Sequence, residues 1–145
     1  MKDSLSSRLT EILNSLPICK GIRILEIGCG PGVLARAIAK QIGEGHILAI
    51  DRSSKAIKMA IKNSQDEIAS GRLCFKEVAI ENFELEDGEQ PYDIAFAIRV
   101  GALDGRYPQA GNLAFPKIAQ ALTKKGKLFV DRGNPLREIP LASYH

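Results

Sequence analysis

The chain is poor in the side chains that metal and thiol chemistry require. Its 145 residues include three cysteines and two histidines. Cys19, Cys29 and Cys74 are scattered and form no C-x-x-C pair, so neither a zinc site nor a disulfide framework is expected. His46 opens an apolar run and His145 is the last residue; neither looks catalytic. No apolar run approaches the roughly 18–20 residues of a membrane span. The N-terminus lacks the basic-then-apolar pattern of an export signal, so a reducing cytoplasm is the expected location. Charge of one sign is also scarce. Twenty Lys and Arg against 17 Asp and Glu leave a net +3, too weak alone to argue for nucleic acid. Hydrophobic residues at 45% and charged residues at 26% are ordinary for a globular protein. The length fits one domain over residues 1–145, able to bury roughly 68–70% of its unfolded surface.

What is present is concentrated in Arg23-Ile24-Leu25-Glu26-Ile27-Gly28-Cys29-Gly30-Pro31-Gly32. An apolar run with one acid in it is broken by glycines at alternate positions. The run reads as a buried strand and the glycines as a tight turn feeding a helix. A second apolar run, residues 46–50, ends at Asp51, roughly 20 residues on, where a Rossmann-type site places a carboxylate for ribose hydroxyls. Strand, glycine turn, helix, strand and acid make a nucleoside-binding half-site. Dinucleotide enzymes use G-x-G-x-x-G, but here the third glycine comes one position early, at Gly32, and Val33 follows it. A NAD-dependent oxidoreductase is disfavoured on that ground.

The pattern E-I-G-C-G-P-G resembles motif I of the class I S-adenosylmethionine (SAM) dependent methyltransferases, and the resemblance extends over about residues 21–135. It implies an α/β, Rossmann-like, three-layer fold with a parallel sheet of strand order 3-2-1-4-5. The family's sheet usually continues into an antiparallel hairpin, strands 6 and 7. Only about fifteen residues follow the fifth strand here, so a shortened member lacking strands 6 and 7 is expected. SAM is the implied cofactor and a small molecule the implied acceptor. The alternative is a catalytically degenerate SAM-binding module acting as a partner subunit.

The rest of the chain reads as alternating helices and strands. Residues 3–16 carry Leu5, Leu9, Ile12, Leu13 and Leu16 at helical spacing, with Asp3 or Ser4 as cap and Pro17 as stop. Packing beside the sheet is favoured for this helix over a lid role. Val33, Leu34, Ala37 and Ile38 share one face of a helix after the glycine turn. Ile57, Ala60, Ile61 and Ile68 mark a single further helix, with Gly71 beyond its end. Strands are expected over 73–78, 93–98 and 127–130. A helix falls within 113–122, where Pro116 suits only the first turn, and Lys124-Lys125-Gly126 reads as a turn.

Candidate site residues follow from the residues and the resemblance together. Gly28, Gly30 and Gly32 offer close backbone approach. Cys29 in the same turn is favoured as a small packing residue over a reactive thiol. Glu26 matches the family acid that attracts the SAM ammonium; an acid in a buried strand is costly without such a reason. Asp51 can accept from the ribose diol, cap a helix, or do both. Arg52 either lies along the adenine or is solvated. Ala79 stands where the family often has an Asp for the adenine amino group, and Ile80 can pack on the ring. Arg99 can hold an anionic acceptor or the SAM carboxylate, or form a surface ion pair. No catalytic residue is assigned: Asp104, Tyr107 and Asp131 are the nearby base candidates, with loop hydrogen bonding favoured for each. Finally, the apolar edge of residues 127–130 has open amides, a template for pairing. A homodimer through that edge is expected, with coverage by the chain's own tail as the competing outcome.

Overall fold

The computed structural model describes residues 5–144. The chain runs through α1 (Ser7–Ser15), β1 (Arg23–Ile27), α2 (Val33–Ala39), β2 (His46–Asp51), α3 (Ser54–Lys62), α4 (Gln65–Ala69), β3 (Leu73–Glu77), β4 (Tyr92–Ala97), α5 (Pro108–Ala121), β5 (Leu122–Val130) and β6 (Arg137–Ile139). Short 3-10 turns occupy Ile80–Asn82 and Ala142–Tyr144. The sheet order is β3-β2-β1-β4-β5-β6, with the first five strands parallel and β6 antiparallel to β5. The expected order 3-2-1-4-5 is therefore present.

Side-chain alternation divides the core between the two faces of the sheet. Leu25, Ile27, Leu48, Ile50, Ala95, Ala97, Leu128 and Val130 face Ile80, Phe83 and α5. Ile24, Ile47, Ala49, Ile94 and Phe96 face α1, α2 and α3. The α1 helix packs on this second face through Ile12, Leu13 and Leu16 and pairs Arg8 with Asp131 at the end of β5, as a packing helix does. Its cap is Ser6, whose hydroxyl accepts the Leu9 amide at 3.2 Å; Asp3 and Ser4 lie outside the described residues.

Four expectations are corrected. The sheet does not stop at the fifth strand: β6 pairs Leu128 with Ile139, Phe129 with Glu138 and Val130 with Arg137. The open edge on which the homodimer was expected is thus filled by the chain itself. The reversal into β6 needs a glycine, because a Cβ on Gly133 would lie 2.4 Å from the Leu136 carbonyl oxygen. Beyond Pro140, Leu141 is buried and Tyr144 stacks on Phe115 of α5 at 5.4 Å, so apolar burial holds the tail down. Next, the helix expected around Ile57 to Ile68 breaks into α3 and α4 at Ser64, whose fully buried hydroxyl accepts Arg36 Nη1 at 3.0 Å. Third, α5 starts earlier than expected, at Pro108, and keeps Pro116 in its interior. Pro108 occupies the first helical position, where a missing N–H costs nothing. The residue four before Pro116 is the exposed Asn112, so water can take the freed carbonyl. The expected turn at 124–126 lies inside β5 as an irregularity: Leu122 pairs with Tyr92 and Lys127 already with Ile94.

Candidate active site

Strand β1 delivers the chain into the glycine turn at the C-terminal edge of the sheet. The amides of Gly28 and Cys29 donate to the Ile50 carbonyl at 2.8 and 2.9 Å, tying the turn to β2. Gly28 has φ +75°, and a Cβ there would meet Val100 Cγ2 at 2.6 Å. Gly32, at φ +86°, lies against Phe75 and Arg36, while a Cβ on Gly30 would meet nothing within 4 Å. Of the three glycines, Gly30 thus leaves free space, whereas Gly28 and Gly32 admit other parts of the protein. The buried Arg36 donates from Nη1 to the Pro31 carbonyl at 2.9 Å and stiffens the turn.

Asp51 laces this turn to the next helix. Its Oδ2 accepts the Gly30 amide at 2.8 Å and its Oδ1 accepts the Ser53 amide at 2.8 Å. The cap of α3 is not Asp51 but Ser53, which accepts the Ala56 amide at 3.1 Å. Each carboxylate oxygen keeps a lone pair for a ligand. Beyond β3, the Val78 amide donates to the Asp51 carbonyl at 3.0 Å and brings Ala79 and Ile80 beside it.

Glu26 is the outlier in this neighbourhood. It is 4% exposed, and its Oε1 is the one buried side-chain polar atom without a partner among the described residues. Burial pushes its carboxyl up to about 8, and the nearby Asp51 charge adds to the shift. It alternates with Leu25 and Ile27 and so shares the α1–α2 face with Ile24. The Cys29 thiol is raised well above its ordinary range, first by burial and then by Glu26 and Asp51. It stays protonated, which fits packing rather than reactivity.

A cavity of about 930 Å³ opens over the ends of β1, β2 and β4. Among the expected residues, Gly28, Asp51, Arg52, Ala79, Ile80 and Arg99 border it; Glu26, Cys29, Gly30 and Gly32 do not. Sequence reasoning missed its far wall, built by Val100, Gly101, Ala102, Arg106 and the start of α5. The signal was there in Tyr107-Pro108, a proline at a helix start. Of the base candidates, Tyr107 alone borders the cavity. Asp104 is held by Arg106 Nε at 2.9 and 3.0 Å, which keeps its carboxyl below the usual range. Asp131 is taken by Arg8 and by the Arg99 amide.

A parallel sheet with a glycine turn after β1, a carboxylate after β2 and a cavity over the strand ends defines a nucleoside-cofactor-binding α/β domain. Within that class the chain belongs to the methyltransferase domain family, whose model matches residues 18–144. It is 27% identical over 150 residues to the mitochondrial ubiquinone biosynthesis O-methyltransferase of Schizosaccharomyces pombe, covering 94% of this chain and 52% of that one. It is 30% identical over 142 residues to an O-methyltransferase of Aspergillus nomiae, covering 97% and 61%. The chain therefore spans about half to three-fifths of these relatives' length. Among solved structures, its fold is similar to phosphoethanolamine N-methyltransferase 1 of Haemonchus contortus in complex with phosphoethanolamine and S-adenosylhomocysteine. The TM-score is 0.72 at 16% identity, over 86% of this chain and 25% of that one. A SAM-dependent methyltransferase of Thiobacillus denitrificans in complex with S-adenosylhomocysteine gives 0.66 at 20% identity, over 88% and 48%. Among the described residues no helix is long and apolar enough to cross a membrane.

Proposed function

We propose that the chain is a SAM-dependent methyltransferase acting on a small molecule. The observation that carries this reading is Glu26, a buried carboxyl with an unpartnered oxygen one residue before the cavity-lining Ile27. A ligand ammonium is the group that would satisfy it. SAM offers that ammonium together with a ribose diol for Asp51 and an adenine for Ile80, so the residues present fit the cofactor. Gly30, with open space at its Cα, admits close approach of the amino-acid end. The missing Asp at Ala79 leaves adenine recognition to packing and to backbone groups.

When bound, SAM supplies an activated methyl group to a nucleophile. The chain's own contribution is positional. Ile27, Ile50, Val78, Ile80 and Val100 form apolar walls that exclude water, and the turn fixed by Asp51 and Arg36 sets the cofactor end of the cavity. Asp104 and Asp131 are committed to arginines, so neither is available as a base. An acceptor already nucleophilic near neutral pH needs none. A cytoplasmic location and a single domain over the whole chain belong to the same reading; the cysteines are all unpaired among the described residues.

Calorimetry with S-adenosylhomocysteine and with NAD, followed by turnover of SAM across a panel of phenols, amines and carboxylates, tests the proposal. Binding of S-adenosylhomocysteine with methyl transfer to at least one acceptor is expected. Binding of NAD alone would refute it. Cofactor binding with no turnover would favour the partner-subunit alternative.

A further inference from the structure

Resting on the methyltransferase reading, we infer that the cavity wall between β4 and α5 is an acceptor subsite for a carboxylate or phosphate group, with Arg99 as the residue that selects it. Arg99 lies two residues past β4 and borders the cavity. It is the one non-glycine residue with positive φ, +59°, among those described. Both of its backbone groups are held in that conformation. Its amide donates to Asp131 Oδ1 at 3.1 Å, and its carbonyl accepts Arg106 Nη2 at 3.1 Å. Asp131 is itself fixed by Arg8. A left-handed arginine over-determined from two sides is the kind of strain that functional sites retain.

The guanidinium of Arg99 carries a charge that this machinery does not use. It takes part in none of the ion pairs among the described residues, whereas Arg106 is spent on Asp104 and Arg8 on Asp131. Arg132 donates to the Asp104 carbonyl oxygen in the same cluster. Of the four arginines gathered here, Arg8 and Arg106 pair with the two carboxylates, Asp131 and Asp104, while Arg132 reaches a carbonyl oxygen and the Arg99 guanidinium joins no ion pair among the described residues. The surplus is positive, and it is displayed at the cavity by Arg99. The acids that border the cavity, Asp51 and Glu81, belong to its β2–β3 side. A planar guanidinium with open donors reads a carboxylate or phosphate through two parallel hydrogen bonds.

The cavity has room for this second ligand. At about 930 Å³ it stands near the top of the roughly 300–1,000 Å³ range of small-molecule sites. A cofactor lying between Asp51 and Ile80 leaves the β4–α5 end for the acceptor. The cofactor's own carboxylate shares a carbon with the ammonium drawn to Glu26, on the α1–α2 face. Arg99 borders a cavity that leans toward α5, so its anion belongs to the acceptor.

The experiment uses benzoate and benzamide, alike in shape and unlike in charge, titrated by calorimetry at low salt with and without saturating S-adenosylhomocysteine. The proteins are the wild type, Arg99→Met, Arg99→Lys and Arg99→Gly. The glycine variant removes the guanidinium while suiting the left-handed backbone, so it stays folded even where Arg99→Met does not. Benzoate should bind the wild type at least about tenfold more tightly than benzamide. The preference should vanish in Arg99→Met and Arg99→Gly and survive in part in Arg99→Lys, with S-adenosylhomocysteine affinity within twofold throughout. Equal binding of the two probes to the wild type, or a preference that outlasts both Arg99→Met and Arg99→Gly, would overturn the subsite. Loss of S-adenosylhomocysteine affinity in those variants would overturn it too, by giving Arg99 to the cofactor carboxylate. Failure of S-adenosylhomocysteine to bind the wild type would instead sink the methyltransferase reading, and the benzoate arm on the free protein would still decide the anion site.

Discussion

Replacing Glu26 by Gln should make the protein more stable and its cofactor binding weaker. The folded carboxyl titrates near 8 against an ordinary 4.5, chiefly because it is buried. Below 4.5 the group is protonated in both states and costs nothing. Between 4.5 and 8 the folded chain keeps a proton that the unfolded chain has lost. Stability therefore falls as pH rises through this window and levels off above it. At pH 7 the penalty is 2.5 pH units at about 1.4 kcal/mol each, or roughly 3 kcal/mol. Glutamine has the same shape and no charge, so the variant escapes the penalty. At about 2–4 °C per kcal/mol for a chain of this size, the melting temperature at pH 7 should rise by ~6–12 °C. At pH 5 the two proteins should melt within about 1 kcal/mol of each other. Thermal melts of both proteins from pH 5 to 8 measure the difference, which cancels every other titrating group. A pH-independent difference, or a variant no more stable at pH 7, would refute the assignment of Glu26 as a buried, destabilising acid. The gain should carry a cost in function: S-adenosylhomocysteine affinity should fall at least about tenfold, since a charge-assisted hydrogen bond contributes roughly 1.5–3 kcal/mol.

Other perturbations probe the rest of the site. In wild type, S-adenosylhomocysteine affinity should strengthen by up to about tenfold between pH 6.5 and 7.5, as ionised Glu26 becomes easier to form, and Glu26→Gln should abolish that slope; calorimetry at both pH values checks it. Asp51→Ala removes the acceptor for the Gly30 and Ser53 amides as well as for the ribose. It should lower the melting temperature and weaken S-adenosylhomocysteine at least about tenfold, and an unchanged dissociation constant would reduce Asp51 to a loop staple. Gly28→Ala should destabilise by about 1–3 kcal/mol, from the clash with Val100 and the left-handed backbone. A second change, Val100→Ala, should recover the steric part, which a double-mutant cycle by urea denaturation reads directly. Arg99→Gly relieves roughly 1–2 kcal/mol of left-handed strain and concedes about 0.5–1 in chain entropy. It should leave stability unchanged or up to about 1.5 kcal/mol higher, and a clear loss in urea melts would show that the Arg99 side chain holds the loop.

The half-site was legible in the sequence because its determinants are local. Apolar runs at 23–27 and 46–50, alternate glycines and an acid at a set distance each act through backbone sterics or side-chain alternation, which a short window contains. The five parallel strands and their order came from the same signals joined to the family resemblance. Tertiary structure decided wherever the partner lies far along the chain. Ser64 looks like part of a helix until Arg36, 28 residues earlier, draws its hydroxyl into the core. Residues 137–139 have no strand signal of their own, and they become β6 because the open amides of β5 and the apolar surface under Leu141 reward them. Pro116 is tolerated in α5 because Ala114, Ile118 and Ala119 bury that helix against the sheet more strongly than one missing hydrogen bond opposes it. The charge state of Glu26 and the free guanidinium of Arg99 belong to this second kind. Residue identity sets the acid and the base, but desolvation and pairing are properties of the surroundings, and only the folded chain supplies those.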